Sequence, residues 1–238
     1  MDNDQNALSR RERREQERQK QRDGQAKSIS GTKWRNIAII AVIVVGFGLV
    51  IAGLVSKKGG NPNATPVDTV AADDWTKGPA DASKMLLVFS DFQCPACSAS
   101  EPWVNQAMTE FKDTVQFVFR DFPLRSIHPN AQIAAQAAEA AGLQNKFWEM
   151  HDLLFEKQAE WSDSADPKTF FVRYAETLSL DKTQFESDLT SDPVIQRIED
   201  DYQSGLKAGI PGTPTFFLNG KMLNNVKNYE DLKAILSK

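Results

Sequence analysis

From Asn36 to Val55 the chain carries no charge, and after the asparagine it reads IAIIAVIVVGFGLVIAGLV, apolar or glycine throughout. About 20 such residues are what a helix needs to span a bilayer, and a helix buried in a soluble core would keep a polar side, which this run lacks. A cleaved leader fits poorly. The segment begins 35 residues into the chain, Leu54-Val55-Ser56-Lys57 does not offer a small-residue cleavage site, and no cysteine follows for a lipid anchor. The run reads as an uncleaved signal anchor, a single N-terminal transmembrane helix.

Arg18, Lys20, Arg22, Lys27, Lys33 and Arg35 precede the run, and only Lys57 and Lys58 follow it closely. The positive-inside rule then leaves residues 1–35 as a cytoplasmic basic tail and sends the rest outward, with Trp34 as an interfacial anchor. Charge divides the same way. Residues 1–35 hold ten Lys/Arg and six Asp/Glu, while residues 56–238 hold eighteen and twenty-six. Glutamates interrupt the basic run Arg10–Arg22, and no aromatic is interleaved for base stacking. That pattern suits a topology signal and solvated tail better than a nucleic-acid site. The composition excludes collagen and wholly disordered chains, and two cysteines cannot staple 238 residues into a disulfide scaffold.

The outer body opens with SKKGGNPNATP, a flexible spacer of glycine, proline and asparagine, and residues 56–77 are assigned to a linker. MLLVFSD (Met85–Asp91) has the length and apolar texture of a buried strand, a helix follows to Phe111, and VQFVFRD (Val115–Asp121) is a second strand. Strand, helix, strand at this spacing predicts a parallel pair joined by a crossover. Residues 129–207 read as helical. AQIAAQAAEAAG stops at Gly142, Asp181-x-x-Gln184 resembles a capping box, and Pro193 suits a first helical turn. Thr215–Leu223 is a hairpin about Asn219-Gly220, and Tyr229–Leu236 a closing helix. The order β-α-β, helical block, β-β-α is that of an α/β thioredoxin fold with an inserted helical subdomain, at about residues 126–208.

Cys94-Pro95-Ala96-Cys97 falls where the first strand hands over to a helix. Unpaired amides and the positive end of the helix dipole favour a thiolate there. Cys94 would attack, and Cys97, one turn further in, would resolve the mixed disulfide. A zinc site needs four ligands at compatible spacing, and the two histidines, His128 and His151, lie far from the pair and from each other, so no metal is assigned. A permanently oxidised structural clip is the other alternative. Gly212-Thr213-Pro214-Thr215 precedes the hairpin; read alone, it is turn chemistry.

The phrases FSDFQCPAC (Phe89–Cys97), FRDFPL (Phe119–Leu124), HPNA (His128–Ala131), KFWEMHDLLFE (Lys146–Glu156) and GTPTFFLNG (Gly212–Gly220), with Gly78-Pro79-Ala80-Asp81-Ala82 before them, occur in one order. In these the chain resembles the membrane-anchored branch of the bacterial DsbA-like thioredoxin family, over residues 78–238. The resemblance implies a dithiol–disulfide oxidoreductase of the cell membrane. Its partners would be exported proteins with cysteine pairs and a membrane quinone-linked protein that reoxidises it, and its only redox group the Cys94–Cys97 disulfide. It makes Cys94 the nucleophile, Cys97 the resolver, and Pro214 a cis proline. Thr213 before it would hold an extended substrate segment, with Pro95, Ala96 and Phe92 in support.

One position departs from the pattern. Many relatives carry a buried carboxylate six residues before the first cysteine, and here that residue is Val88. Asp91 faces the other way along the strand, and Glu101 could approach from the helix. His128 reads as a capping or packing residue at the head of the insertion rather than one lining the active-site face, His151 as a core residue, and Phe92 and Trp103 as candidates for a groove wall or, equally, for core packing. Pro95-Ala96 has neither the Gly-Pro of reducing thioredoxins nor the Pro-His of strongly oxidising relatives. A reductase or isomerase, or a redox-silent binding module, therefore stands beside the oxidase as an alternative.

Overall fold

The computed structural model describes residues 15, 17–22 and 65–238. The chain divides into two units, Met1–Gly59 and Gly60–Lys238. Of the first, residues 17–22 are helical and exposed. The apolar run 36–55 lies outside the described residues, among which no helix is long and apolar enough to cross a membrane.

The second unit is built on a five-stranded sheet in the order β1-β3-β2-β4-β5. Strand β1 is Trp75–Lys77, β2 Lys84–Ser90, β3 Val115–Asp121, β4 Thr215–Leu218 and β5 Lys221–Met222. Helix α1 (Pro95–Glu110) connects β2 to β3, which pair in parallel from Lys84↔Val115 to Ser90↔Asp121. The other pairings are antiparallel. Both sheet faces are covered, which is why β2 is apolar without alternation. Leu86 packs with Phe117, Phe216, Val104 of α1, and Leu232 and Leu236 of α8 (Tyr229–Leu236). Met85, Leu87 and Phe89 turn to the opposite face with Val118, Phe122 and Phe217. At Asn219-Gly220 both φ angles are positive, 48° and 79°, as a type I′ hairpin requires.

Six helices stand between β3 and β4: α2 (Ala131–Gly142), α3 (Phe147–Glu156), α4 (Gln158–Trp161), α5 (Pro167–Thr177), α6 (Lys182–Asp188) and α7 (Asp192–Ala208). They share one core of Phe147, Met150, Leu154, Trp161, Phe171 and Phe185, into which Phe92, Cys97 and Phe119 also project. The helical block and the active-site strand end are thus one packed body. Asp181 accepts from the Gln184 amide at 2.8 Å, so half of the expected capping box forms. Gly142 serves otherwise than expected. The left-handed residue after α2 is Asn145, whereas a Cβ at Gly142 would lie 2.3 Å from the Trp75 ring.

The linker assignment needs correction. Residues 75–77 form β1, and residues 65–74 dock on the body through Arg120 of β3. This side chain is fully buried. It holds Asp74 by two bonds, of 3.0 and 2.8 Å, and donates to the carbonyls of Thr65, Pro66 and Thr69 and to Ser204 Oγ. Arg197 of α7 joins Asp73, Asp74 and Asp201 in the same cluster.

Candidate active site

Cys94 is the N-cap of α1, with extended φ and ψ of −69° and 122°, and Pro95 occupies the first turn, where a missing N–H costs nothing. The Ser98 amide donates to the Cys94 carbonyl at 3.1 Å. Pro95 and Ala96 are exposed, Cys94 is 6% exposed and Cys97 fully buried. Both sulfurs are free thiols.

Side chains from the helical block fix the loop ahead of Cys94. Asp91 accepts from the amides of Gln93 at 2.7 Å and Leu124 at 2.9 Å, and lies 2.6 Å from His128 Nδ1. The Gln93 amide bridges the Asn130 N–H and the Ser162 carbonyl. Gln158 of α4 donates to the carbonyls of Phe92 and Cys94 at 2.7 and 3.1 Å. Gln93 and Gln158 went unnoticed in the sequence, because a lone glutamine carries no spacing signal and its partners lie more than 30 residues away. His128 helps to hold Asp91, and also lines a groove of about 680 Å³ with Pro95, Gln93 and Asp163.

Thr213–Pro214 is a cis peptide bond, as the resemblance implied. Cys94 Sγ lies 3.5 Å from the Thr213 carbonyl oxygen. Thr213 Oγ1 is buried with no hydrogen-bond partner. The thiols diverge. Hydrogen bonding from the Cys97 thiol, helped by the backbone amides of Cys97 and Ala96, outweighs burial and lowers Cys94 from 9.0 to about 5. Burial pushes Cys97 well above its ordinary range, and the neighbouring Cys94 adds to the shift. At neutral pH the pair is one thiolate beside one thiol, a nucleophile and its resolver.

Phe92 forms no groove wall. It is 1% exposed and packs on Phe119, Phe155 and His151. Trp103 packs on Phe216. His151 is buried among these rings, as expected of a core residue, but it also stands between the carboxylates of Glu101 and Asp152. Val88 leaves the strand position beneath the motif apolar. Among the described residues no group of three or more His, Cys, Asp or Glu converges as a metal site.

A thioredoxin family model matches residues 71–238. A Na⁺/H⁺ antiporter, NhaA 1, of Salinispora arenicola is 40% identical over 164 residues, covering 69% of this chain and 24% of the antiporter. The chain thus spans about a quarter of the length of such curated relatives. A thioredoxin-like oxidoreductase from Silicibacter pomeroyi superposes with a TM-score of 0.60 at 23% identity, covering 70% of this chain and 92% of that one. Oxidised BdbD from Bacillus subtilis gives 0.61 at 23% identity, covering 68% and 90%. At those identities the likeness is one of fold.

Proposed function

The chain belongs to the thioredoxin family, and from that premise we propose that it oxidises cysteine pairs of exported proteins through a Cys94–Cys97 disulfide. Its fold is that of thiol–disulfide oxidoreductases, enzymes that work through the redox-active cysteine pair without an added cofactor. The observation that carries the reading is the asymmetry of the two thiols. A Cys94 held at about 5 stabilises the reduced form, and stabilising the reduced form is what makes a disulfide oxidising. A substrate thiolate attacks Cys94 Sγ and Cys97 leaves. The substrate's second thiolate then attacks its own mixed-disulfide sulfur and expels Cys94 as a stable thiolate. The backbone beside Thr213 would hold the extended substrate segment.

In this reading residues 36–55 anchor the enzyme in the cell membrane with its head in the cytoplasm, which the Lys/Arg bias supports. A quinone-linked membrane partner would reoxidise the pair. The deciding experiment is the reduction potential of the full chain in glutathione buffers. A value of about −120 to −180 mV is expected, and one near −250 mV or lower would replace the oxidase by a reductant or a structural clip.

A further inference from the structure

The buried cluster around Arg120 and Arg197 holds more carboxyls than its cations can match. The ion pairs of the two guanidiniums go to Asp73, Asp74 and Asp201. Asp121, which ends β3, and Glu139 of α2 lie in the same interior, 1% and 4% exposed. The Asp121 amide donates to Asp201 Oδ2 at 3.0 Å, but both carboxyl oxygens of Asp121 are buried without a hydrogen-bond partner. The side chain they meet is that of Glu139, itself an acceptor. Two carboxyls can bond only if one of them carries a proton, and a buried carboxylate with no donor is among the costliest groups a fold can hold. Asp121 is therefore the neutral acid and donates to Glu139, whose Oε1 also accepts from Trp75 Nε1 at 2.8 Å.

We infer that a proton shared by Asp121 and Glu139 latches β1 and residues 65–74 onto the body, and that its loss as pH rises releases them. The latch is independent of the redox chemistry of Cys94 and Cys97. Trp75 opens β1, a three-residue edge strand that pairs only with β3, so the bond from Trp75 to Glu139 is a large part of what holds it. Glu139 also lines a cavity of about 380 Å³ with Asp73, Asp74, Trp75 and Arg197, through which the proton can exchange. Facing Asp121 are Glu139 from α2 and Asp201 and Arg197 from α7; facing Glu139 are Asp121, Arg197, Trp75 and Asp73. Burial raises Asp121 well above the ordinary carboxylate range, and the charges of Glu139 and Asp201 add to the shift. Burial raises Glu139 as well, against the opposing pull of Arg197 and Trp75, and raises Asp201 to about 7. The closed latch thus holds one proton more than the open one from the ordinary carboxylate range up to the raised value of Asp121. Closure weakens as pH rises through that window and is constant above it. With the proton gone, two carboxylates oppose each other, and the short edge strand is the element with least to resist them.

The test is hydrogen–deuterium exchange of the full chain, read by mass spectrometry and corrected for the intrinsic pH dependence of amide exchange. Between pH 7 and 9, protection of residues 65–77 should fall by about tenfold, the change one proton can impose per pH unit, while that of α8 stays level. Asp121→Asn puts in place of the acid an amide that donates to Glu139 at every pH, so protection of residues 65–77 should stay level across the same range. A level wild-type profile, an Asp121→Asn profile as steep as that of wild type, or a fall shared equally by α8 overturns the inference. If Asp121→Asn does not fold, Glu139→Gln is read the same way, its amide donating to Asp121: a level profile supports the latch and a wild-type slope overturns it.

Discussion

Two cysteines three residues apart sit in opposite environments, and that contrast sets what each can be asked to do. Cys94→Ser should abolish exchange, whereas Cys97→Ser should leave attack intact and accumulate mixed disulfide, seen as glutathione adduct by mass spectrometry. The pH dependence follows from the same contrast. The folded pKa of Cys94, about 5, lies below the roughly 8.5 of a free thiol. Its contribution to stability is therefore complete above the unfolded value and fades as pH falls towards 5. Cys97, pushed upward, stays protonated folded or unfolded across that window. The reduced form should accordingly gain stability relative to the oxidised form between pH 5 and 8, measured by chemical denaturation of both; a constant difference would contradict the low Cys94 value. The pair was legible at this scale because its meaning lies in local spacing, whereas its proline, turn chemistry when read alone, was legible only through the resemblance. Gln93, Gln158 and the Glu101–His151 contact were not, since each depends on chain brought together from another element.

Elements were readable where they follow local rules. β3 and α8 have the bounds expected, and the Asn219-Gly220 turn fixes the hairpin. β1 was missed because three residues carry no periodicity, and its strand character comes from pairing with β3 some 40 residues on. The clamp that docks residues 65–74 is hidden for the same reason, its arginine being one of many along the chain. Arg120→Ala would leave Asp74 buried without its bidentate partner, and a loss of about 3–5 kcal/mol is expected. Limited proteolysis should then open the chain ahead of β1; unchanged cleavage and stability would show the clamp to be dispensable. In α2, Gly142→Ala brings a methyl group against Trp75, which stacks on Phe147 at 4.4 Å. Overpacking should outweigh the better helix propensity by about 1–2 kcal/mol, read from the urea midpoint.

For the whole molecule, the block order β-α-β, helices, β-β-α was enough to give the fold, because few topologies accommodate it. What the order could not convey is that the helical block and the sheet share a core through Phe92 and Phe119. The block is a wall of the site as well as an appendage to it. The proposed anchor makes a prediction at this scale: the full chain should remain with membranes after alkaline carbonate washing, and external protease should reach the outer body but spare the basic head. Release by carbonate would remove the anchor from the reading.

The two glutamines that hold the motif loop bear on how the enzyme would let go of what it has worked on. Gln158 grips the carbonyls of Phe92 and Cys94 from the helical block, and Gln93 ties the same turn to Asn130 and Ser162. None of these bonds involves a sulfur, so the grip on the loop would not need the disulfide to form or to break. On the proposed reading, an enzyme so built would offer client chains the same surface when charged and when spent, with little reorganisation on turnover. No change of shape would eject the product. A client would depart because its own new disulfide has removed the thiolate that kept it attached, and the turnover rate would follow the client's folding as much as the enzyme's chemistry.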